Sequence, residues 1–245
     1  MDVARVFRIQ TMNNIKSTAR LAGFLYVLVA LLAPFVLLYV PGQLYVSGDS
    51  SATVERISAN QDLFMAAILV GLVSELLFVT VILLLYRLLR GVDGTLAVLM
   101  VALIMLQVPL AFLGIANEVA TLQFIRGGDF LDVFTAPQRD ALAMLMINVD
   151  RQGVLVSQVF WGLWLLPLGL LIFQSRFVPR VLGIWLVLNG LAYVTLSVIG
   201  LVAPEYRTTA FNFATPLMFG ELALALWLLI MGVRTVSTPI PASRT

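Results

Sequence analysis

Six apolar runs, each close to the length needed to cross a bilayer, constrain this chain more than any other feature. They lie at residues 20 to 40, 63 to 86, 95 to 122, 152 to 174, 180 to 203 and 212 to 233. A membrane-spanning helix needs about 20 mostly apolar residues, because the hydrocarbon core of a bilayer is about 30 Å thick. Segments rich in charged and turn-forming residues separate the runs. The sequence therefore predicts an all-α fold, a polytopic membrane helix bundle with six transmembrane helices.

The domain organisation follows from these runs. Residues 20–234 are predicted to form a single six-helix transmembrane domain. Residues 1–19 form a basic N-terminal segment that either lies along the membrane surface or frays, and residues 235–245, rich in Pro, Ser and Thr, are expected to be disordered. Only 11% of the chain is charged, against about 25% in a soluble domain. No separate soluble domain is therefore expected.

The distribution of basic residues predicts the orientation of the chain. With the N-terminus in the cytoplasm, ten of the 15 Lys and Arg residues fall on the cytoplasmic side. Because cytoplasmic segments retain Lys and Arg, both termini are predicted to be cytoplasmic. The first apolar run lacks a small-residue cleavage site and is longer than the apolar part of a signal peptide, so it is expected to remain as a span.

The segment before the fourth apolar run carries helix-start signals. It reads "TAPQRDALAMLMINVDRQG", in which Thr135 can cap a helix and Pro137 suits its first turn. Two outcomes are compatible with a helix here: a short interfacial helix, or an outward extension of the fourth span. The alternative is a plain connector.

The absence of two residue types excludes much chemistry. The chain has no Cys and no His, and Lys16 is its only lysine. This excludes disulfides, thiolate nucleophiles, the usual zinc sites, haem ligation by imidazole, Ser-His-Asp catalysis and an intramembrane Schiff base. We therefore expect a protein that is not an enzyme and needs no cofactor or metal. The net charge of +2 gives no reason to expect nucleic acid as a partner.

Two glutamates lie deep inside apolar runs. Glu75 lies 12 residues from Arg87, and Glu221 lies 13 residues from Arg234. At 1.5 Å per residue, both lie about 18 to 20 Å from the cytoplasmic boundary, near the centre of the bilayer. A carboxylate there without a basic partner is costly, so each is expected to be protonated, to share a proton, or to hold a cation. Glu118, near the outer end of its run, is expected to reach water as a surface acid.

Four more polar side chains fall at a similar depth. They are Gln107, Gln158, Asn189 and Tyr193. Stripes of small and polar residues at helical spacing run from Gln107 to Glu118 and from Gln158 to Gly169, as is typical of faces that pack inside a bundle. Glu75, Gln107, Tyr193 and Glu221 are therefore predicted to form one buried polar layer, with Gln158 and Asn189 above and below it. This polar site either joins the helices by hydrogen bonds or binds a proton, a cation or a ligand.

Several segments resemble a known family. "STARLAGFLYVLVA" (17 to 30), "LLLYRLLR" (83 to 90), the run from 160 to 194 that begins "FWGLWLLPLGLL", and "GELALALWLLIMGVR" (220 to 234) are similar to segments of the bacterial multipass membrane proteins grouped as domain of unknown function 4386. The resemblance implies six spans in a bacterial inner (plasma) membrane and no established activity. Members often carry a histidine before the fourth span, where this chain has "NVDRQG", which argues against histidine-dependent chemistry here.

Three classes of function remain open. The first is a non-catalytic protein that binds a ligand or lipid, or an accessory subunit, with membrane lipids as partners and with a homo-oligomer or a hetero-complex both open. The second is a proton- or cation-coupled small-molecule transporter that uses Glu75 and Glu221. The third is a membrane enzyme, for which the sequence offers no nucleophile with a base and no phosphate loop. The sequence favours the first class.

Overall fold

The protein is helical throughout the part that the computed structural model describes, residues 3–46 and 48–233. No strand occurs in these two ranges, so the predicted all-α fold is confirmed. The helices are α1 (Val3–Pro34), α2 (Val40–Leu44), α3 (Ser50–Ala59), α4 (Gln61–Leu89), α5 (Gly94–Arg126), α6 (Ala136–Leu163), α7 (Leu165–Ser175), α8 (Arg180–Val202) and α9 (Arg207–Ile230), with a π-helical turn at Phe35–Tyr39 and 3-10 turns at Asp129–Leu131 and Pro204–Tyr206.

These helices make six membrane spans, as predicted. The spans are Asn14–Leu44, Gln61–Leu89, Gly94–Arg126, Ala136–Ser175, Arg180–Val202 and Pro204–Ile230. The first helix begins at Val3 and passes unbroken into the first span, so the basic segment before residue 20 continues that helix. The predicted disordered tail, 235–245, lies outside the described residues.

The six spans form a closed ring in chain order. Each span packs against the next one along the chain, and the sixth packs against the first through α9 and α1. Neighbouring helix axes lie about 9 Å apart, so six axes in a ring lie about 9 Å from its centre. A helix with its side chains is about 10 Å across, so the ring encloses a central space about 8 Å wide. This space is either filled by side chains or left as a cavity.

The two ends of the ring differ in charge. We call one end, with the connections at 90–93 and 176–179, the basic end, because Arg87, Arg90, Arg176 and Arg180 lie there. We call the other, with the connections at 45–60, 127–135 and 203–206, the acidic end, where Asp49, Glu55, Asp129, Asp132 and Glu205 lie.

The central space is filled in the half nearer the basic end. A continuous apolar core joins all six spans there, and its largest members, Trp164, Leu85 and Leu168, are each no more than 1% exposed. In the half nearer the acidic end the buried apolar cluster is smaller and includes Val40, Phe64 and Leu122. The ring is therefore solid at the basic end and leaves room in its centre towards the acidic end.

Glycines bring the fourth and fifth spans into backbone contact. A Cβ atom on Gly169 would lie 2.7 Å from the carbonyl oxygen of Gly183, and one on Gly190 would lie 2.6 Å from the carbonyl oxygen of Gly162. Both distances are too short for any side chain. The predicted small-residue stripe on the fourth span is thus a packing face, as expected for helices that associate closely within a bilayer.

Prolines interrupt two of the spans. α6 ends at Leu163 and α7 begins at Leu165. Pro167 has no N–H to donate to the carbonyl oxygen of Leu163, four residues earlier, which accounts for the break. In the first span, Pro34 is followed by the π-helical turn at Phe35–Tyr39. Both interruptions lie beside the central space.

The segment before the fourth apolar run extends the fourth span. α6 begins at Ala136, and the backbone N–H of Thr135 donates to the Gln138 side chain at 2.9 Å. This bond belongs to a capping box, in which the Thr135 side chain also accepts from the backbone N–H of Gln138. Of the alternatives left open by the sequence, the structure has the lengthened span. The predicted start of the fourth span at residue 152 is wrong. Charged residues interrupt the apolar run before that position, although the helix continues through them.

Candidate binding cavity

A cavity of about 930 Å³ occupies the hollow half of the ring. Residues from all six spans line it. The lining reaches from Tyr26, Trp164 and Glu221 near the middle of the bundle to Gly48 and Arg207 at the acidic end. Pockets for small molecules usually have volumes of about 300 to 1,000 Å³. The cavity is therefore large enough for a small molecule or for part of a lipid.

Glu221 joins three spans at the inner end of the cavity. The Tyr26 hydroxyl in the first span donates a short hydrogen bond to one of its carboxyl oxygens, and Asn189 in the fifth span donates its amide to the other at 3.5 Å. Tyr193, one turn further along the fifth span, also interacts with this carboxyl group. Glu221 therefore accepts hydrogen bonds but has no basic partner among the described residues.

Glu75 lies on another wall of the same cavity. Its partner is Gln107 of the third span, whose side chain is only 3% exposed. One carboxyl oxygen of Glu75 and the carbonyl oxygen of the Gln107 amide are buried without a hydrogen-bond partner among the described residues, as is the hydroxyl of Ser74. Buried polar atoms normally have partners, so those without one indicate a missing hydrogen-bonding group. All three residues line the cavity, which is where such a group would lie.

The structure brings together most of the predicted polar layer. Glu75, Gln107, Tyr193 and Glu221 line the cavity. Asn189 is fully buried behind the wall, where it supports Glu221 and also donates to the Met218 carbonyl oxygen at 3.4 Å. Gln158 is buried in the fourth span but does not line the cavity, and its amide oxygen has no partner among the described residues. The role of these six residues in binding stays a prediction.

A second pair of carboxyl groups lies nearer the acidic end. We expected Glu118 to be a surface acid, but it lines the cavity and interacts with Asp150 of the fourth span. Asp150 fits there because Gly114, one turn before Glu118, has no side chain: a Cβ atom on Gly114 would lie 2.5 Å from an Asp150 carboxyl oxygen. Glu118 was misjudged because depth alone does not tell which way a side chain at the interface points.

Tyr45 lies beside this carboxyl pair, just outside the first span. Burial raises the pKa of the Tyr45 hydroxyl, and the nearby Glu118 and Asp150 carboxyls raise it further, while Arg151 lowers it. Arg151 and Arg207 also line this part of the cavity, but both are exposed and neither forms an ion pair with the two acids in the described structure. The mouth of the cavity is thus polar and carries both signs of charge.

Aromatic side chains close the inner end of the cavity. The rings of Tyr26, Phe78 and Trp164 pack against one another, with centroid distances of 5.5 to 6.4 Å. Trp161 packs edge-on against Tyr193 at 6.1 Å. Trp164 is 1% exposed and belongs to the apolar core. The three rings form an aromatic floor between the cavity and the solid half of the bundle.

Sequence reasoning missed Tyr26 and Asp150. Tyr26 lies only six residues from Arg20, so counting from that arginine places it outside the central layer. The helix begins well before Arg20, however, and Lys16 lies level with Gly232 at the basic end. Asp150 was missed because it lies just before residue 152, where the fourth apolar run begins. The spacing of Gly114 and Glu118 on one helix face was the available signal for this part of the wall.

The composition of the cavity wall indicates what kind of molecule it can bind. No group of three or more acidic side chains in the described part of the chain is placed to hold a metal ion. The site instead combines apolar walls, hydrogen-bonding groups with free capacity, and two pairs of carboxyl residues in one cavity. Such a site can bind a molecule that is partly apolar and carries hydrogen-bond donors or positive charge.

Fold and cavity together define the class: an integral membrane protein that is a ring of six helices around a central cavity. The chain belongs to the family described as domain of unknown function 4386, whose family model matches residues 21–232. Comparison with curated proteins and with solved structures gives no match. The family assigned from the sequence is thereby confirmed, and the activity has to be argued from the cavity.

Proposed function

We propose that this protein is a non-catalytic membrane protein that binds an amphiphilic small molecule or a lipid in its central cavity. The observation that carries this proposal is a cavity of about 930 Å³ whose lining residues Ser74, Glu75 and Gln107 each have a buried polar atom with no partner in the described part of the chain. A ligand with a polar group at this depth would supply the missing hydrogen bonds, and its apolar part would lie against the cavity walls. The resemblance to bacterial multipass proteins supports a bacterial inner membrane as its location.

The aromatic floor sets the direction from which the ligand arrives. The basic half of the bundle is closed by the core around Trp164, whereas the cavity reaches the residues of the acidic end. The ligand therefore enters from the acidic end. With the basic end in the cytoplasm, this is the outer side of the membrane. A purely structural accessory role would leave the unpartnered polar atoms without a purpose.

The proposal is tested by filling the cavity. A Cβ atom on Gly71 would meet nothing closer than a Val36 methyl group at 3.9 Å, so Gly71→Phe projects a ring into the cavity without a backbone clash. Val73→Phe is the matched control, because Val73 is exposed on the outside of the same helix. Mass spectrometry of the purified protein should find a bound molecule in the wild type and in Val73→Phe. Its amount should fall at least tenfold in Gly71→Phe; no bound molecule in the wild type, or equal amounts in all three, contradicts the proposal.

One observation favours a second function, proton-coupled transport. The Glu221 carboxyl group in the sixth span accepts hydrogen bonds from Tyr26 of the first span and Asn189 of the fifth. A change in its protonation would change hydrogen bonds between three spans at once, which is a way to couple a proton to helix movement.

Proteoliposomes with a pH-sensitive dye separate the two functions. Ligand-dependent proton movement that is lost in Glu221→Gln supports transport. Saturable binding without proton movement in the wild type supports the binding protein. Glu205→Gln is the control for a change of charge, because Glu205 is exposed at the acidic end and does not line the cavity.

A further inference from the structure

The cavity contains two separate pairs of acidic residues, one above the other. We call Glu75 and Glu221, which lie on different walls at the inner end of the cavity, the inner pair, and we call Glu118 and Asp150, which interact with each other nearer the acidic end, the outer pair. Gln107, which contacts Glu75, and Glu118 lie on the same helix, 11 residues apart. At 1.5 Å per residue, the two pairs are about 16 Å apart along the cavity.

Neither pair has a basic partner among the described residues. No ion pair there involves any of the four carboxyl groups, and Asp150 lies close enough to Glu118 to interact with it electrostatically. Facing carboxylates repel each other, and a positive charge between them removes that repulsion. Arg151 and Arg207 line the mouth of the cavity but are exposed and unpaired with the acids. Each pair is therefore a place for a positively charged group supplied by a ligand.

Between the two pairs, part of the wall is formed by small and apolar side chains. Gly71, Ala111 and Gly114 line this stretch together with Val36 and Val40. At the inner end, Phe78 of the aromatic floor is only partly buried and lines the cavity, so its ring can contact an ammonium group. An unbranched hydrocarbon chain fits this stretch, since it carries no polar atoms that would lose water there.

On this basis, and resting on the proposed function, we infer that the ligand is a linear molecule with an ammonium group at each end, of the class of long-chain diamines and polyamines. One ammonium group contacts Glu75 and Glu221 above the aromatic floor, and the other contacts Glu118 and Asp150. The inner ammonium group donates hydrogen bonds to the oxygens of Glu75 and Gln107 that have no partner among the described residues. The Gln107 side chain is only 3% exposed. An extended chain covers about 1.2 Å per bond, so about 12 carbon atoms span the 16 Å between the pairs.

The test is a titration of the full-length protein in nanodiscs of phosphatidylcholine, with empty nanodiscs as the blank. Binding is followed by tryptophan fluorescence, because Trp161 and Trp164 line the cavity. The four probes are 1,12-diaminododecane, 1-aminododecane, 1,6-diaminohexane and dodecane-1,12-diol. A hydrogen bond to a charged group is worth enough to change affinity about tenfold or more. The long diamine should therefore bind at least about tenfold more tightly than each of the other three.

Variants then assign the two ends of the ligand. The double variant Glu118→Gln and Asp150→Asn should bind the long diamine no more tightly than it binds 1-aminododecane. Glu221→Gln should weaken the binding of both amines. Glu205→Gln should change neither, because this acid lies outside the cavity. The comparison of chain lengths in the wild-type protein does not depend on how any variant folds.

The outcomes separate this inference from the proposed function. If the monoamine, the short diamine or the diol binds as tightly as the long diamine, the two-ended ligand is wrong. If none of the four compounds shows saturable binding, the inference is likewise overturned. In both cases the proposed function is decided by whether a molecule co-purifies with the wild type and is lost in Gly71→Phe.

Discussion

At the scale of single residues, the hydrogen bonds to the buried Glu221 carboxyl group stabilise the bundle. Tyr26→Phe removes the hydroxyl group that donates to Glu221 and keeps the ring that packs on Phe78 and Trp164. Leaving a buried carboxyl group short of a donor costs about 1 to 3 kcal/mol, so the midpoint of thermal denaturation should fall. Tyr39→Phe is the control, since Tyr39 is 53% exposed on the same span.

The same prediction has an internal check. In a Glu221→Leu background the Tyr26 hydroxyl has lost its acceptor, so removing it should cost much less than in the wild type. An equal loss in both backgrounds would mean that Tyr26 stabilises the protein through its ring alone. The double-mutant comparison isolates the free energy of the Tyr26–Glu221 hydrogen bond, because each single substitution removes that bond.

Depth was predictable for these residues, but direction was not. Glu75, Glu221, Gln107 and Tyr193 were placed in one layer by counting residues along helices, and all four line one cavity. Counting cannot show which way a side chain faces when polar residues occur on several faces. For that reason Glu118 was assigned to the surface. Gln158 was placed with the buried polar residues, but it does not line the cavity with them.

At the scale of helices, the fourth and fifth spans are held by glycine contacts that admit no side chain. Gly169→Ala places a methyl group 2.7 Å from the Gly183 carbonyl oxygen, so the helices must separate. Overpacking of this kind costs about 1 to 3 kcal/mol. Gly153→Ala in the same span meets nothing within 4 Å, and it gains up to about 1 kcal/mol in helix propensity.

Replacing glycine by alanine is therefore expected to change the stability in opposite directions at positions 169 and 153. The midpoint of thermal denaturation should fall in Gly169→Ala and stay level or rise in Gly153→Ala. A rise in both would show that the fourth and fifth spans adjust their spacing freely. Both variants keep the α6 to α7 break, because Pro167 is unchanged.

The number of spans could be predicted from the sequence, but the ends of two of them could not. Apolar run length sets the count, since a membrane of fixed thickness demands a minimum length. The fourth span starts at Ala136 because Thr135, Pro137 and Gln138 form a helix start there. The same residue types also occur in connecting loops, so they do not by themselves predict a longer span. The π-helical turn after Pro34 depends on packing around the cavity, for which hydropathy gives no signal.

At the scale of the whole molecule, the closed ring explains why the cavity exists at all. A sequential ring of six helices leaves a central space, and the sequence fills it with large side chains such as Trp164 only in the basic half. Apolar run lengths do not reveal which spans are neighbours, so neither the ring nor the cavity could be predicted from them. Small residues on the inner faces, such as Gly71 and Ala111, were the nearest signal.

The orientation of the ring can be measured directly because the chain has no cysteine of its own. In intact cells, a membrane-impermeant thiol reagent should label Val133→Cys, which is 81% exposed in the connection at the acidic end. It should label Gly91→Cys, at the basic end, only after the membrane is opened. The reverse pattern would place the basic end outside the cell and contradict the orientation predicted from the Lys and Arg distribution.

The same cysteine-free background tests whether the cavity is open to water from the acidic end. Gly71→Cys places a thiol on the cavity wall with space around it, whereas Leu69→Cys places one on the outside of the same helix, where Leu69 is 57% exposed. Thiol reagents attack the thiolate, which forms in water and not in lipid. The impermeant reagent added outside should therefore label Gly71→Cys and leave Leu69→Cys unlabelled, and 1,12-diaminododecane should slow the labelling of Gly71→Cys. Labelling of Gly71→Cys from the basic side alone would mean that the aromatic floor opens and that the cavity is a pathway across the membrane, which would favour transport over binding.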